Sequence, residues 1–185
     1  SSVYTGDGYE TPLGIVETDK ALASRIASIH PLVHASAQGH ATGATRGEHA
    51  LEVHLPFLQI ALGKFKLVAI VMGDQEEESV KALGEVLATA LNGRNCLMVA
   101  STDLSHFHDQ KEAKELDGAV RVAIEAYDPA ELMGVLSSGD GEACGGGPVA
   151  AVMTAAKRLG SSEMKFLDYA TSGNATGDFN EVVGY

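Results

Sequence analysis

Stretches with apolar residues at helical spacing alternate along the chain with short apolar runs bounded by glycine and polar turn residues. Thr11-Pro12 and Gly14 mark a turn before a short extended piece at Ile15 and Val16. Thr18 or Asp19 then caps a helix with the stripe Leu22, Ile26 and Ile29, which Pro31 ends. Thr45 and Glu48 have capping-box spacing and open a second helix, with Leu51, Leu55, Leu58 and Leu62 on one face and a kink expected before Pro56. Leu67 to Met72 is a continuous apolar run and reads as a buried strand. The acidic turn Glu76, Glu77, Glu78 favours a helix start, and that helix buries Val80, Leu83, Leu87 and Leu91 and stops at Asn92-Gly93. Cys96 to Ala100 reads as a second buried strand. Asp109 with Glu112 starts a helix near Gln110, with Ala113, Leu116, Val120, Ala123 and Tyr127 on one face. Asp128-Pro129 with Glu131 starts another over Ala130 to Leu136, and Pro148 begins a third, through Val152, Met153 and Leu159, that Gly160 ends. Lys165 to Tyr169 and Glu181 to Tyr185 read as strands on either side of a turn-rich loop, Thr171 to Asp178. Such alternation predicts an α/β fold with a parallel-rich sheet flanked by helices on both faces.

Composition narrows the class. The 185 residues suffice for one domain with a sizeable core, and no linker-like stretch divides residues 1–185. A net charge of -12 with only 13 Lys and Arg argues against a nucleic-acid surface, because phosphate binding relies on clustered cations. No apolar run approaches the roughly 18 residues of a membrane span, so no membrane partner is expected. Two cysteines in different settings, Cys96 in a strand pattern and Cys144 in a glycine loop, fit a reduced cytoplasmic protein better than a disulfide framework.

Candidate chemistry gathers in two loops. Asp103, His106 and His108 follow the run Cys96 to Ala100, and in open α/β sheets ligands bind beyond the carboxyl ends of strands. The stretch SSGDGEACGGGP, residues 137–148, allows close backbone approach and places Cys144 just before a helix, where unpaired amides and the helix dipole stabilise a thiolate. Glu48 and His49 stand in the first turn of their helix, and Glu48 and Glu52 share a face. His34 and His40 read as solvated loop residues. Imidazole, carboxylate and thiolate together suit a mononuclear iron, copper or zinc site. They equally suit a nucleophilic Cys144 with His106 as base and Asp103 as its orienter. A third, non-enzymatic reading is a pocket that docks a peptide or small anion.

At these residues the chain resembles the Memo family, also called AmmeMemoRadiSam system protein B. The matching pieces are TPLGIVETD, EHALEVHLPF, VASTDLSHF, ACGGGP and YATSGNATGDFNEVVGY, in the family's order and across essentially the whole chain. The resemblance implies a fold similar to class III extradiol dioxygenases (LigB-like) and a pocket for iron or copper with dioxygenase-like redox activity on an unidentified small molecule or peptide. It implies that Cys144 is a metal ligand, with Asp103 and His106 beside it. His106 looks like the acid-base histidine of the extradiol enzymes and a second candidate ligand, and Glu48 and His49 match a pair near the same pocket. Family members normally open with a segment carrying two further ligand histidines, in His-Gly-Tyr-type and Gly-Pro-Ser-His motifs that this sequence lacks. The expectation is therefore a single Memo-like domain over 1–185, truncated at its N-terminus and able to self-associate through an uncovered sheet edge.

Overall fold

Three helix starts follow capping carboxylates. In the computed structural model, which describes residues 1–40 and 48–185, the chain forms two compact units, 1–94 and 95–185, each described by itself. The capping box proposed at Thr45 lies outside the described residues.

In the first unit, β1 (Ser2–Val3) is followed by the antiparallel hairpin of β2 (Gly8–Thr11) and β3 (Gly14–Glu17). The Asp19 carboxylate accepts the Leu22 N–H and opens α1 (Lys20–Ala27), which buries Leu22, Ala23 and Ile26. This helix ends at Ser28, before Pro31 is reached, and Ile29 lies beyond it. Next come β4 (His34–Ala35), α2 (Ala50–Leu62), β5 (Ile70–Val71) and α3 (Glu77–Leu91). α3 buries Val80, Leu83, Leu87 and Leu91 as the spacing predicts. Tyr9, Val16, Leu55 and Ala69 form a buried cluster against which Leu51, Leu58 and Leu67 pack. His40, expected to be solvated, is instead buried between Tyr9 and the Ser2 carbonyl.

The second unit holds β6 (His106–His108), α4 (Gln110–Glu125), α5 (Pro129–Ser138), α6 (Gly146–Arg158), α7 (Ser172–Thr176) and β7 (Val182–Val183). Asp109 and Asp128 cap α4 and α5 through their carboxylates. α6 starts two residues ahead of Pro148, and α7 occupies the stretch read as a turn-rich loop. α5 packs between α4 and α6, and β6 pairs antiparallel with β7.

The fold is therefore mixed α/β, with small sheets. Among the described residues β1 pairs in parallel with β4 and antiparallel with β5, and a parallel bridge joins Thr18 to Leu67. These short ladders stand where the alternation predicts a continuous parallel-rich sheet. Among the described residues, of Leu67 to Met72 only Ile70 and Val71 enter a ladder, and Cys96 to Ala100 and Lys165 to Tyr169 enter none. Apolar character alone makes a strand only where a neighbour supplies hydrogen bonds. Leu97 and Val99 are accordingly 65% and 51% exposed.

Candidate functional site

The second unit has a cleft of about 330 Å³ lined by Leu104, His106, Leu136, Glu142, Ala143 and Cys144. Its polar wall is made by two segments laced together. The Cys144 N–H donates to the Asp103 carbonyl at 3.1 Å, and the Asp103 N–H returns a bond to Cys144 Sγ at 3.2 Å. The Gly145 N–H donates to Thr102 Oγ1 at 2.8 Å, and that hydroxyl donates to the Asp103 carbonyl at 2.6 Å. Glycine is needed here for space: a Cβ on Gly145 would lie 2.2 Å from the Ser101 carbonyl oxygen, far inside contact distance. Gly145 also serves as N-cap of α6, so Cys144 sits immediately before that cap.

His106 stands at the start of β6, with Nε2 3.7 Å from Asp103 Oδ2, beyond hydrogen-bond length but within electrostatic reach. A buried carboxylate supports the residues before it. Asp117 of α4, 1% exposed, accepts the Ser105 N–H at 2.8 Å and the Tyr169 hydroxyl at 2.6 Å. Burial first, and then Asp117, push the Tyr169 hydroxyl above its ordinary pKa, which keeps it protonated as a donor. Gly184 closes over the same carboxylate, and its N–H donates to the Ser105 carbonyl at 2.9 Å. Between His106 and His108 the strand bulges: Phe107 takes φ 62°, a left-handed conformation costly for a bulky side chain, and its ring is 75% exposed.

The bulge leaves both histidines engaged with the Cys144 loop. Glu142 accepts the His106 N–H at 3.4 Å and His108 Nε2–H at 3.1 Å, while His108 Nδ1 lies 3.2 Å from the Glu112 carboxylate. The Glu142 hydrogen bond, with Glu112 adding to it, raises the His108 pKa against partial desolvation. Neither Glu142 nor the role of His108 is apparent from sequence, where an acid in a glycine loop resembles any solvated acid. The signal that was present is spacing: each lies two residues from a nominated site residue.

The structure thus brings His106 and Cys144 to one cleft, with Asp103 bonded to the Cys144 backbone and sulfur beside it. Glu48 and His49 belong to the first unit, where Glu48 Oε1 accepts the Ala50 N–H at 2.9 Å and His49 Nδ1 lies 2.8 Å from Glu52 Oε1 at an exposed helix start. For iron or copper, a sulfur and an imidazole are suitable donor types, but two donors do not complete a coordination sphere. Among the described residues no three His, Cys, Asp or Glu side chains gather closely enough to hold an ion. An ion held here would take Cys144 and His106 as two of its donors and need others to complete its coordination sphere.

The family model for Memo-like proteins matches residues 1–185. A MEMO1 family protein of Methanothermobacter thermautotrophicus is 38% identical over 179 residues, 96% of this chain and 63% of its own length. One of Methanosarcina barkeri is 36% identical over 182 residues, covering 97% and 66%. One of Aquifex aeolicus is 36% identical over 185 residues, covering 100% and 67%. The chain spans 63% to 67% of the length of these curated relatives. With a family model matched along all of residues 1–185 and identity sustained over nearly the whole chain, the chain belongs to the Memo family.

Proposed function

We propose that this chain contributes to a Memo-type redox site, with Cys144 and His106 as donors toward iron or copper and His106 as the group that moves a proton at the cleft. The observation that carries the reading is the double engagement of Asp103, whose N–H meets the Cys144 sulfur while its carboxylate faces His106. A bound iron or copper ion would supply redox chemistry of the dioxygenase-like kind that the family resemblance implies. The chain's own residues do the rest. The Asp103 N–H bonds to the Cys144 sulfur and fixes its place, and the Asp103 carboxylate, 3.7 Å from Nε2, faces the His106 ring from which a proton would be passed. Leu104, Leu136 and Ala143 give the cleft an apolar wall against which the body of a small molecule or peptide can rest. Glu48 and His49 stay acid-base candidates on the resemblance alone. The reading takes the family domain to have a LigB-like, parallel-rich sheet and the protein to act in the cytoplasm. The exposed Leu97 and Val99 favour self-association.

Anaerobic equilibrium dialysis against ferrous iron, and a parallel series with cupric ion, test this by metal analysis. The chain is expected to hold either ion weakly, and Cys144→Ser and His106→Gln are each expected to abolish that binding. Tight stoichiometric metal in the Cys144→Ser chain would sink the assignment. Rapid, His106-dependent alkylation of Cys144 that chelators leave unchanged, with no metal retained, would point to the nucleophile instead.

A further inference from the structure

A carboxylate that the proposed chemistry does not use lies between the loop ending at Cys144 and the strand carrying His106. Glu142 lines the cleft with both residues. Its Oε2 accepts the His106 N–H at 3.4 Å and its Oε1 accepts His108 Nε2–H at 3.1 Å. The other nitrogen of His108 faces Glu112 in the first turn of α4, 3.2 Å away. Glu142 therefore grips the bulged strand at two points, and His108 extends that grip to a helix.

Both carboxylate oxygens accept from protein donors, so the contacts Glu142 makes are ones that hold structure. What it does control is where its loop sits. These bonds join positions 36 and 34 residues apart, a separation no local turn could bridge. Two residues further on, the Cys144 N–H and Sγ are tied to Asp103. The loop is thus held to the strand segment on both sides of Ala143, and the Glu142 side of that attachment reaches the backbone of His106 itself.

We propose that Glu142, backed by His108, is a positioning residue that clamps the Cys144 loop onto the His106 strand and sets the spacing of sulfur and imidazole. The inference rests on the reading of Cys144 and His106 as the site, but its test uses the metal-free chain and so fails separately from the metal assignment.

With Cys96 replaced by serine, Cys144 is the remaining thiol of the 185-residue chain. In that background, Glu142→Ala, Glu142→Gln and the control Glu112→Ala are compared by three readouts: iodoacetamide alkylation rate of Cys144, hydrogen exchange of the His106 amide, and denaturant midpoint. Alanine removes both acceptors, whereas glutamine keeps an oxygen for the His106 amide. Glu142→Ala should speed His106 amide exchange by about three- to tenfold, the worth of one such hydrogen bond, and change the alkylation rate severalfold. Glu142→Gln should stay within about twofold of the parent on both, a rescue that general loosening would not show. Unchanged exchange and alkylation in Glu142→Ala would overturn the proposal, as would equal changes in the Gln and Ala chains or in Glu112→Ala. Should the Ala chain not fold, His108→Asn removes one arm of the clamp and must move both readouts in the same direction; no change there also overturns it.

Discussion

Neutral imidazole is the form of His40 that its surroundings accept. Its Nε2–H donates to the Ser2 carbonyl at 3.0 Å, and its Nδ1 accepts the Tyr9 hydroxyl at 2.6 Å, within a site that leaves the residue 7% exposed. Burial lowers its pKa, outweighing the backbone bond that acts the other way. Burial likewise raises that of Tyr9, so the hydroxyl stays a donor. With the folded pKa below the unfolded value of about 6.5, the unfolded chain binds more protons between the two. The contribution is therefore full above about pH 6.5 and is lost as pH falls through the lowered folded value. Denaturant midpoints should show His40 contributing less stability at acid pH, by up to about 1.4 kcal/mol per pH unit inside that window. The readout is the difference between the chain and His40→Gln, which cannot titrate; a pH-independent difference would refute the neutral assignment. Nothing in the stretch His34 to His40 signals this burial, because the partners are Ser2 and Tyr9, more than thirty positions away in the chain.

Helices were legible where a side chain terminates them. Asp19, Asp109 and Asp128 each accept amide hydrogens at a helix start, and those interactions are local, so the spacing of residues reveals them. Strands were less so, since the same apolar run can pair or stay unpaired according to residues elsewhere in the chain. Lys165 to Tyr169 illustrates the point: instead of entering a ladder, Phe166 lies under the Arg121 guanidinium at 3.6 Å. The glycine run before α6 falls between these cases. Its need for close approach was readable, whereas the group it approaches, the Ser101 carbonyl, was not. Gly145 has φ -110°, open to any residue, so the effect of a side chain there is purely one of space. Gly145→Ala should cost about 2–3 kcal/mol in denaturant unfolding, because backbone rather than a flexible side chain stands in the way. Gly134→Ala in α5 meets nothing within 4 Å and should instead stabilise by about 0.5–1 kcal/mol. Equal effects at the two positions would mean that the loop and Ser101 are not in contact.

Across the molecule, family likeness and site chemistry rest on different residues. Identity of 36–38% to the relatives runs through nearly the whole chain, whereas the described residues that line the cleft belong to the second unit. Asp103, His106 and Cys144 could be nominated from sequence because each is a chemically distinctive side chain beside a turn or glycine run. Asp117 could not, since one acid on an amphipathic helix reads as surface until burial is known. The claim on which all else depends is that Cys144 and His106 face one cleft. In the Cys96→Ser chain, alkylation of Cys144 with a small trifluoroacetonyl reagent, followed by nitrogen-15 NMR of the 7 histidine rings, addresses it directly. The account predicts that the His106 ring resonances move most on labelling. Displacement of other histidine rings with His106 unmoved would contradict it.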